Sequence, residues 1–122
     1  MIRRTKPVAP DHDAIFKEFS KVVNLSPAEL RGWLKRDESK QVGWVRPGET
    51  ESVGRRSAKA ILKIVAKKKA DLTEADYRHM RKVIGYVRRH RAQRPRGDVT
   101  ATRWRYSLLN WGHDPLLDEY NR

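Results

Sequence analysis

The chain has 122 residues, room for one ordinary domain, and no cysteine, which excludes a disulfide framework, a thiolate metal site and a cysteine nucleophile. Its 28 lysines and arginines against 15 acidic residues give a net charge of +13, unevenly placed: residues 1–52 carry +2, residues 53–97 carry +12 and residues 98–122 carry −1. A charge that served only solubility would be spread over the surface, whereas a block of one sign points to a polyanion as partner.

The start, MIRRTKPVAP, has no apolar run after its cations, so it does not read as a secretory signal. No stretch has the length and apolarity of a membrane span, and the sequence reads as that of a cytoplasmic protein. Pro7 and Pro10 discourage helix, so residues 1–10 are expected to form a flexible basic arm carrying Arg3, Arg4 and Lys6. Residues 11–115 are expected to form a single helical domain, with 116–122 as a tail.

Within that domain, Ile15, Phe16, Phe19, Val22 and Val23 mark the apolar stripe of a first helix from about Asp13 to Asn24. Ser26-Pro27-Ala28-Glu29 is a capping box with proline at the first helical position, and Leu30, Trp33 and Leu34 supply the buried side of a short second helix. Residues 37–51, DESKQVGWVRPGETE, have no helical period and contain Gly43, Pro47 and Gly48; they read as an irregular loop with a short extended piece at Val42 to Val45. A third helix should run from Ser52 to about Lys69, with Val53, Ser57, Ala60, Ile61, Ile64 and Val65 on one side. A fourth opens at Thr73, with Asp76 three residues on, and puts Tyr77, Met80, Val83, Ile84 and Val87 inward. Trp104, Leu108 and Trp111 give a fifth helix, stopped by Gly112. The expected fold is therefore all-α: a compact bundle of about five helices with one irregular loop.

The two central helices hold the candidate site. Arg55, Lys59, Lys63 and Lys67 recur every four residues opposite the apolar stripe of the third helix, and Arg56 stands beside them. From Tyr77 on, the fourth helix lies in YRHMRKVIGYVRRHRAQRPRG, residues 77–97, a segment with eight lysines and arginines and no acid. Arg78, Arg81, Lys82 and Arg89 lie opposite its apolar side, and Arg88, Arg91 and Arg94 follow toward its end. Like charges on one helix repel, so such a segment is destabilising unless a partner brings the negative charge. A short connection joins the two helices, so they are expected to pack together and present a common basic face to phosphates, which guanidinium groups can pair with bidentately.

Other residues have structural explanations of equal or greater weight. Gly85, on the basic side of the fourth helix, could let a phosphate approach; a crossing helix accounts for such a glycine more simply. The start Ser52-Val53-Gly54-Arg55-Arg56 could seat an anion on free N–H groups or be plainly capped by Ser52, and both readings stand. Trp33, Trp104 and Trp111 have core spacing. Trp44, in a glycine-flanked loop, is the best candidate for a ring that stacks on a base, although a tryptophan pinning its loop to the core is the commoner outcome. His12, His79, His90 and His113 have no metal-ligand spacing, His113 and Asp114 are adjacent and should point apart, and there is no glycine-rich phosphate loop or carboxylate cluster. No enzyme activity, metal, cofactor, small-molecule substrate or membrane partner is expected.

The segments LSPAELRGWLKRDESKQVGW, ESVGRRSAKAIL, KKKADLTEADYRHMRKVIGYVRRHRAQRP and DVTATRWRYSLLNWGHDP resemble a family of small basic microbial proteins catalogued as a domain of unknown function. The resemblance covers about residues 13–115, with the last segment the most distinctive, and implies DNA binding, since members are often labelled DNA-binding proteins. Residue pattern and resemblance together suggest a nucleic-acid-binding protein, with double-stranded DNA bound without sequence preference ahead of RNA. A non-enzymatic adaptor gripping an acidic protein is the alternative, and a metal-dependent nuclease a more distant one.

Overall fold

The computed structural model describes residues 11–120, so the basic arm at 1–10 lies outside the described residues. Six α-helices and two 3-10 turns make up the described fold, with no strand among them. Helix α1 spans His12–Val22, and the Asp11 carboxylate accepts the N–H groups of Asp13 and Ala14 as its cap. Helix α2, Pro27–Leu34, begins with the anticipated reciprocal bonds between Ser26 and Glu29.

The expected irregular loop opens with a one-turn helix, α3, at Asp37–Lys40, too short to leave a period in the sequence. From Val42 onward the chain is irregular, and the extended piece proposed there does not form a strand. Helix α4 spans Val53–Val65 with Ser52 as N-cap, ending earlier than expected. Residues 65–71 are all exposed, so continuing the helix through three consecutive lysines would bury nothing. A 3-10 turn, Lys69–Asp71, leads to α5, Glu74–Arg91, whose capping box pairs Thr73 with Asp76.

Helix α6 spans Arg103–Asn110. Its end is a Schellman turn: Gly112 N–H donates to Leu109 O at 3.0 Å, His113 N–H donates to Leu108 O at 3.0 Å, and Gly112 has φ +77. A Cβ on Gly112 would also come within 3.1 Å of Val23, so the turn and the contact with α1 both require glycine. Residues expected as a tail continue the fold instead. Leu116 packs on the core, a 3-10 turn spans Leu117–Tyr120, and Asp118 lies 2.9 Å from the buried His113.

Helices α1 and α5 lie alongside each other in the same direction. His12 stacks on Tyr77 at 3.9 Å near their starts, and Glu18 pairs with Arg88 at 2.7 Å further along. Met80, Val83 and Val87 of α5 are fully buried against Phe19 and Val22 of α1 and against Leu108 of α6. Ser57 of α4 bonds His79 of α5 at 2.9 Å, and Lys67, just past the end of α4, reaches Asp76 at 2.6 Å, ten residues on along one segment but only three back along the other. The two helices therefore cross rather than run side by side, which removes the expected extended common face.

A polar node binds the rest. Asn110 Oδ1 accepts the Trp33 indole N–H at 2.7 Å and the Ser39 hydroxyl at 2.6 Å, and its Nδ2 donates to Ser39 O at 3.1 Å. Arg55 donates to Ser39 Oγ at 2.7 Å and to Leu34 O at 2.9 Å. One amide thus ties together α2, α3 and α6, and through Arg55 also α4. No described helix is long and apolar enough to cross a membrane. Replacing Asn110 with alanine strands the Trp33 donor and frees Ser39, and urea unfolding should show a loss of about 3 kcal/mol, the scale of buried polar groups left without partners.

Candidate nucleic-acid interface

The cations proposed from sequence divide sharply. On α4, Arg55 turns inward to the Asn110 node, its side chain 13% exposed and its Nε 3.5 Å from Glu51. Arg56 pairs with Glu49, Lys59 lies 2.7 Å from Glu51, and Lys67 lies 2.6 Å from Asp76. Glu49 and Glu51, just before the helix, thus fold back along its basic side, and only Lys63 of that line has no ion-pair partner among the described residues. The anticipated α4 half of the basic face is largely neutralised from within. Nor is the start of α4 an open anion seat: the Arg55 N–H is capped by Ser52 and the Val53 N–H donates to Trp44 O at 2.9 Å. Gly54 is buried because α6 passes close by, a Cβ there coming within 3.3 Å of Asn110.

On α5 the outcome differs along the helix. Arg88 pairs with Glu18, Arg91 lies 3.2 Å from Asp118, and Arg94 sits over the Trp104 ring at 5.7 Å. Arg78, Arg81, Lys82 and Arg89 are exposed and have no ion-pair partner among the described residues. At 100° per residue they fall on one side of the helix with Gly85 between them, a stripe about 16 Å long at 1.5 Å per residue. Contrary to the expectation from sequence, no second helix crosses at Gly85; the nearest group is the Arg89 guanidinium, 3.0 Å from where a Cβ would sit.

A cleft of about 360 Å³ adjoins this stripe, between the 43–46 loop, the first turn of α4, the middle of α5 and the end of α6. Arg46, Lys82 and Arg89 line it together with Trp44, Tyr86 and Trp111, and no acidic residue does among the described residues. A smaller hollow of about 170 Å³, also lined by Arg46, Lys82 and Trp111, extends it toward Ser57 and His79. Trp44, the best candidate from sequence for an exposed ring, is 65% exposed and does not pin its loop to the core, the commoner outcome. The loop is shaped instead by Gly43, at φ +98, where a Cβ would come within 3.0 Å of Ser52.

Under the cleft the aromatic rings form a row. Tyr86 stacks on Trp111 at 4.2 Å and on His90 at 5.2 Å, and His90 stacks on Trp104 at 6.1 Å. Trp104 and Trp111 are buried, as their spacing implied. Burial, aided by Lys82, holds the His79 pKa below its ordinary value, and burial does the same for His90. Burial raises the Tyr86 pKa, which keeps the phenol neutral. His113 and Asp114 point apart: His113 Nδ1 bonds Val22 O at 2.6 Å, whereas Asp114 pairs with Arg105 at 2.9 Å. No group of three histidine or acidic side chains converges to hold a metal ion among the described residues.

Arg46 and the cleft were not identified from sequence. Arg46 stands outside the basic block, and its nearness to Trp44 between two glycines was the one available signal. Two measurements check this geometry. Gly85→Ala should raise stability by about 0.5–1 kcal/mol, because helix propensity improves and only a mobile guanidinium must shift. Acidification from pH 7 to pH 5 should lower stability, since unfolded His79 takes up a proton near its ordinary pKa of about 6.5 and the folded residue resists it. His79→Gln should reduce that decline in chemical denaturation at the two pH values.

No curated protein and no solved structure matches the chain. One family model does, over residues 18–109, ending inside the last of the segments on which the resemblance rested. That match covers most of the sequence, and the chain belongs to the DUF3140 family, proteins of unknown function.

Proposed function

We propose that the protein binds nucleic acid through its phosphate backbone, with double-stranded DNA, bound without sequence preference, as the first ligand to test. The observation that carries the proposal is the stripe of Arg78, Arg81, Lys82 and Arg89, which has no ion pair among the described residues while carboxylates of the same chain neutralise most of the neighbouring cations. A protein gains nothing in stability from four like charges on one helix side, and a polyphosphate would relieve the repulsion. Arg46 joins the stripe from the loop, across the cleft from Lys82. The interface is narrower than composition suggests, being centred on α5 and not shared equally with α4. That members of the family bind DNA is likewise part of this proposal, because the family description assigns no function.

Five phosphate contacts, at Arg46, Arg78, Arg81, Lys82 and Arg89, would release counterions such that log affinity falls against log salt with a slope of about −4.5. Reversing Arg78, Arg81 and Arg89 together to glutamate should lower affinity for random-sequence duplex by about a hundredfold at low salt while leaving the helical circular dichroism signal intact. Reversing Lys17, Lys21 and Lys35, which are exposed elsewhere, changes net charge equally and should have a much smaller effect. Equal losses in both variants would show a response to net charge alone. Absence of any duplex shift at low salt would favour an adaptor for an acidic protein.

A further inference from the structure

We infer that the cleft beside the α5 stripe holds an unpaired nucleobase, so that a strand with exposed bases is gripped at both its backbone and one base. The inference rests on the nucleic-acid reading above and adds a base-recognition site to it.

Three features of the cleft match a nucleotide unit. Its size, about 360 Å³, lies in the range of small-ligand sites. Its wall is aromatic: Trp44, 65% exposed, offers a ring that the protein's own core does not use. An exposed indole costs the free protein favourable burial, and bases stack on such rings whatever their sequence. Its rim is cationic, with Arg46, Lys82 and Arg89 placed where the phosphates flanking an inserted base would lie, and no lining carboxylate among the described residues opposes them.

A polar donor adds direction. Trp111 is only 4% exposed, and its indole N–H has no hydrogen-bond partner among the described residues. No fully buried side-chain nitrogen or oxygen lacks a partner among those residues, so this N–H must open onto solvent. The cleft that Trp111 lines, next to Gly54, provides the opening: a Cβ on Gly54 would stand within 3.1 Å of the nitrogen. An apolar slot with one free N–H donor and a cationic rim suits a planar heterocycle with acceptor atoms and an attached phosphate. The larger hollow near α2 lacks this character, because Glu29, Glu38 and Asp114 line it. Duplex DNA keeps its bases stacked and can use the rim alone, whereas a single strand can also fill the slot.

The test compares a short oligothymidylate with a blunt-ended, fully paired duplex of equal phosphate number, using the full chain at fixed salt. Titrating the single strand should quench tryptophan fluorescence, and Trp44→Ala should weaken single-strand binding about tenfold while leaving affinity for the blunt-ended duplex unchanged. Trp44→Phe should restore much of the loss, as a stacking role requires. Because Trp44 is exposed, neither variant threatens the fold, which circular dichroism would verify. Unaltered single-strand affinity in Trp44→Ala, with no quenching in the parent protein, would overturn the base site while leaving backbone binding intact. A free thymidine monophosphate bound as tightly as the oligonucleotide would overturn the assignment to a strand. Failure of both blunt-ended duplex and single strand to bind at low salt would overturn the nucleic-acid reading itself.

Discussion

The side-chain amide of Asn110 sits where α2, α3 and α6 converge, and its hydrogen bonds set the positions of groups well beyond it. It accepts from Trp33 and Ser39 and donates to the Ser39 carbonyl, so both ends of the amide are engaged in a setting where an unmet bond is costly. Ser39 in turn accepts from Arg55, which draws the start of α4 against the same node. With α6 held there, Trp111 is placed next to Gly54, and the cleft forms between α4, α5 and the Trp44 loop.

The fold also sorts the positive charge. Its carboxylates are few, and several lie near the cations they neutralise: Glu49 and Glu51 precede α4 and take Arg56 and Lys59, Asp76 closes a capping box and pairs with Lys67, and Glu18 and Asp118 hold the far end of α5. Most of these pairs are solvent-exposed and each contributes little to stability. Their larger consequence is to leave a defined set of cations over. What a partner would meet is a localised stripe and not a diffuse basic surface, which favours oriented docking over loose charge attraction.

Backbone and base contacts would draw on different physics at neighbouring positions. Arginines and lysines on a helix side meet phosphates with strong dependence on salt, while stacking on an indole depends little on ionic strength. Arg46 and Lys82 lie at the boundary, on the rim of the cleft, and Lys82 belongs to the stripe as well. The row of stacked rings from Trp111 through Tyr86 and His90 to Trp104 gives that boundary a stiff floor.

Local signals were sufficient for the helices. The boxes at Ser26 and Thr73, the apolar stripes of α1, α4 and α5, and the stop at Gly112 are each decided by residues a few positions apart, so their meaning survives without the fold. The sequence likewise determined that α5 is charged on one side, with no acid from residue 77 to its end. It could not determine which cations remain free, because the acids that neutralise Arg88, Arg91 and Lys67 come from α1, the C-terminal turn and the cap of α5, and only packing brings these to their partners. Arg55 repeats in register with Lys59 and Lys63 yet faces inward, since the Asn110 node and the Leu34 carbonyl supply acceptors that helical periodicity does not reveal. Gly85 went against expectation, and Trp44 could not be decided between an exposed and a pinned ring, for the same reason: whether a helix crosses, or a loop ring finds the core, is a property of three-dimensional neighbours. Periodicity specified the elements; the tertiary structure alone decided their crossing angles, the placement of Arg46 and the existence of the cleft, because each depends on contacts between segments far apart in the chain.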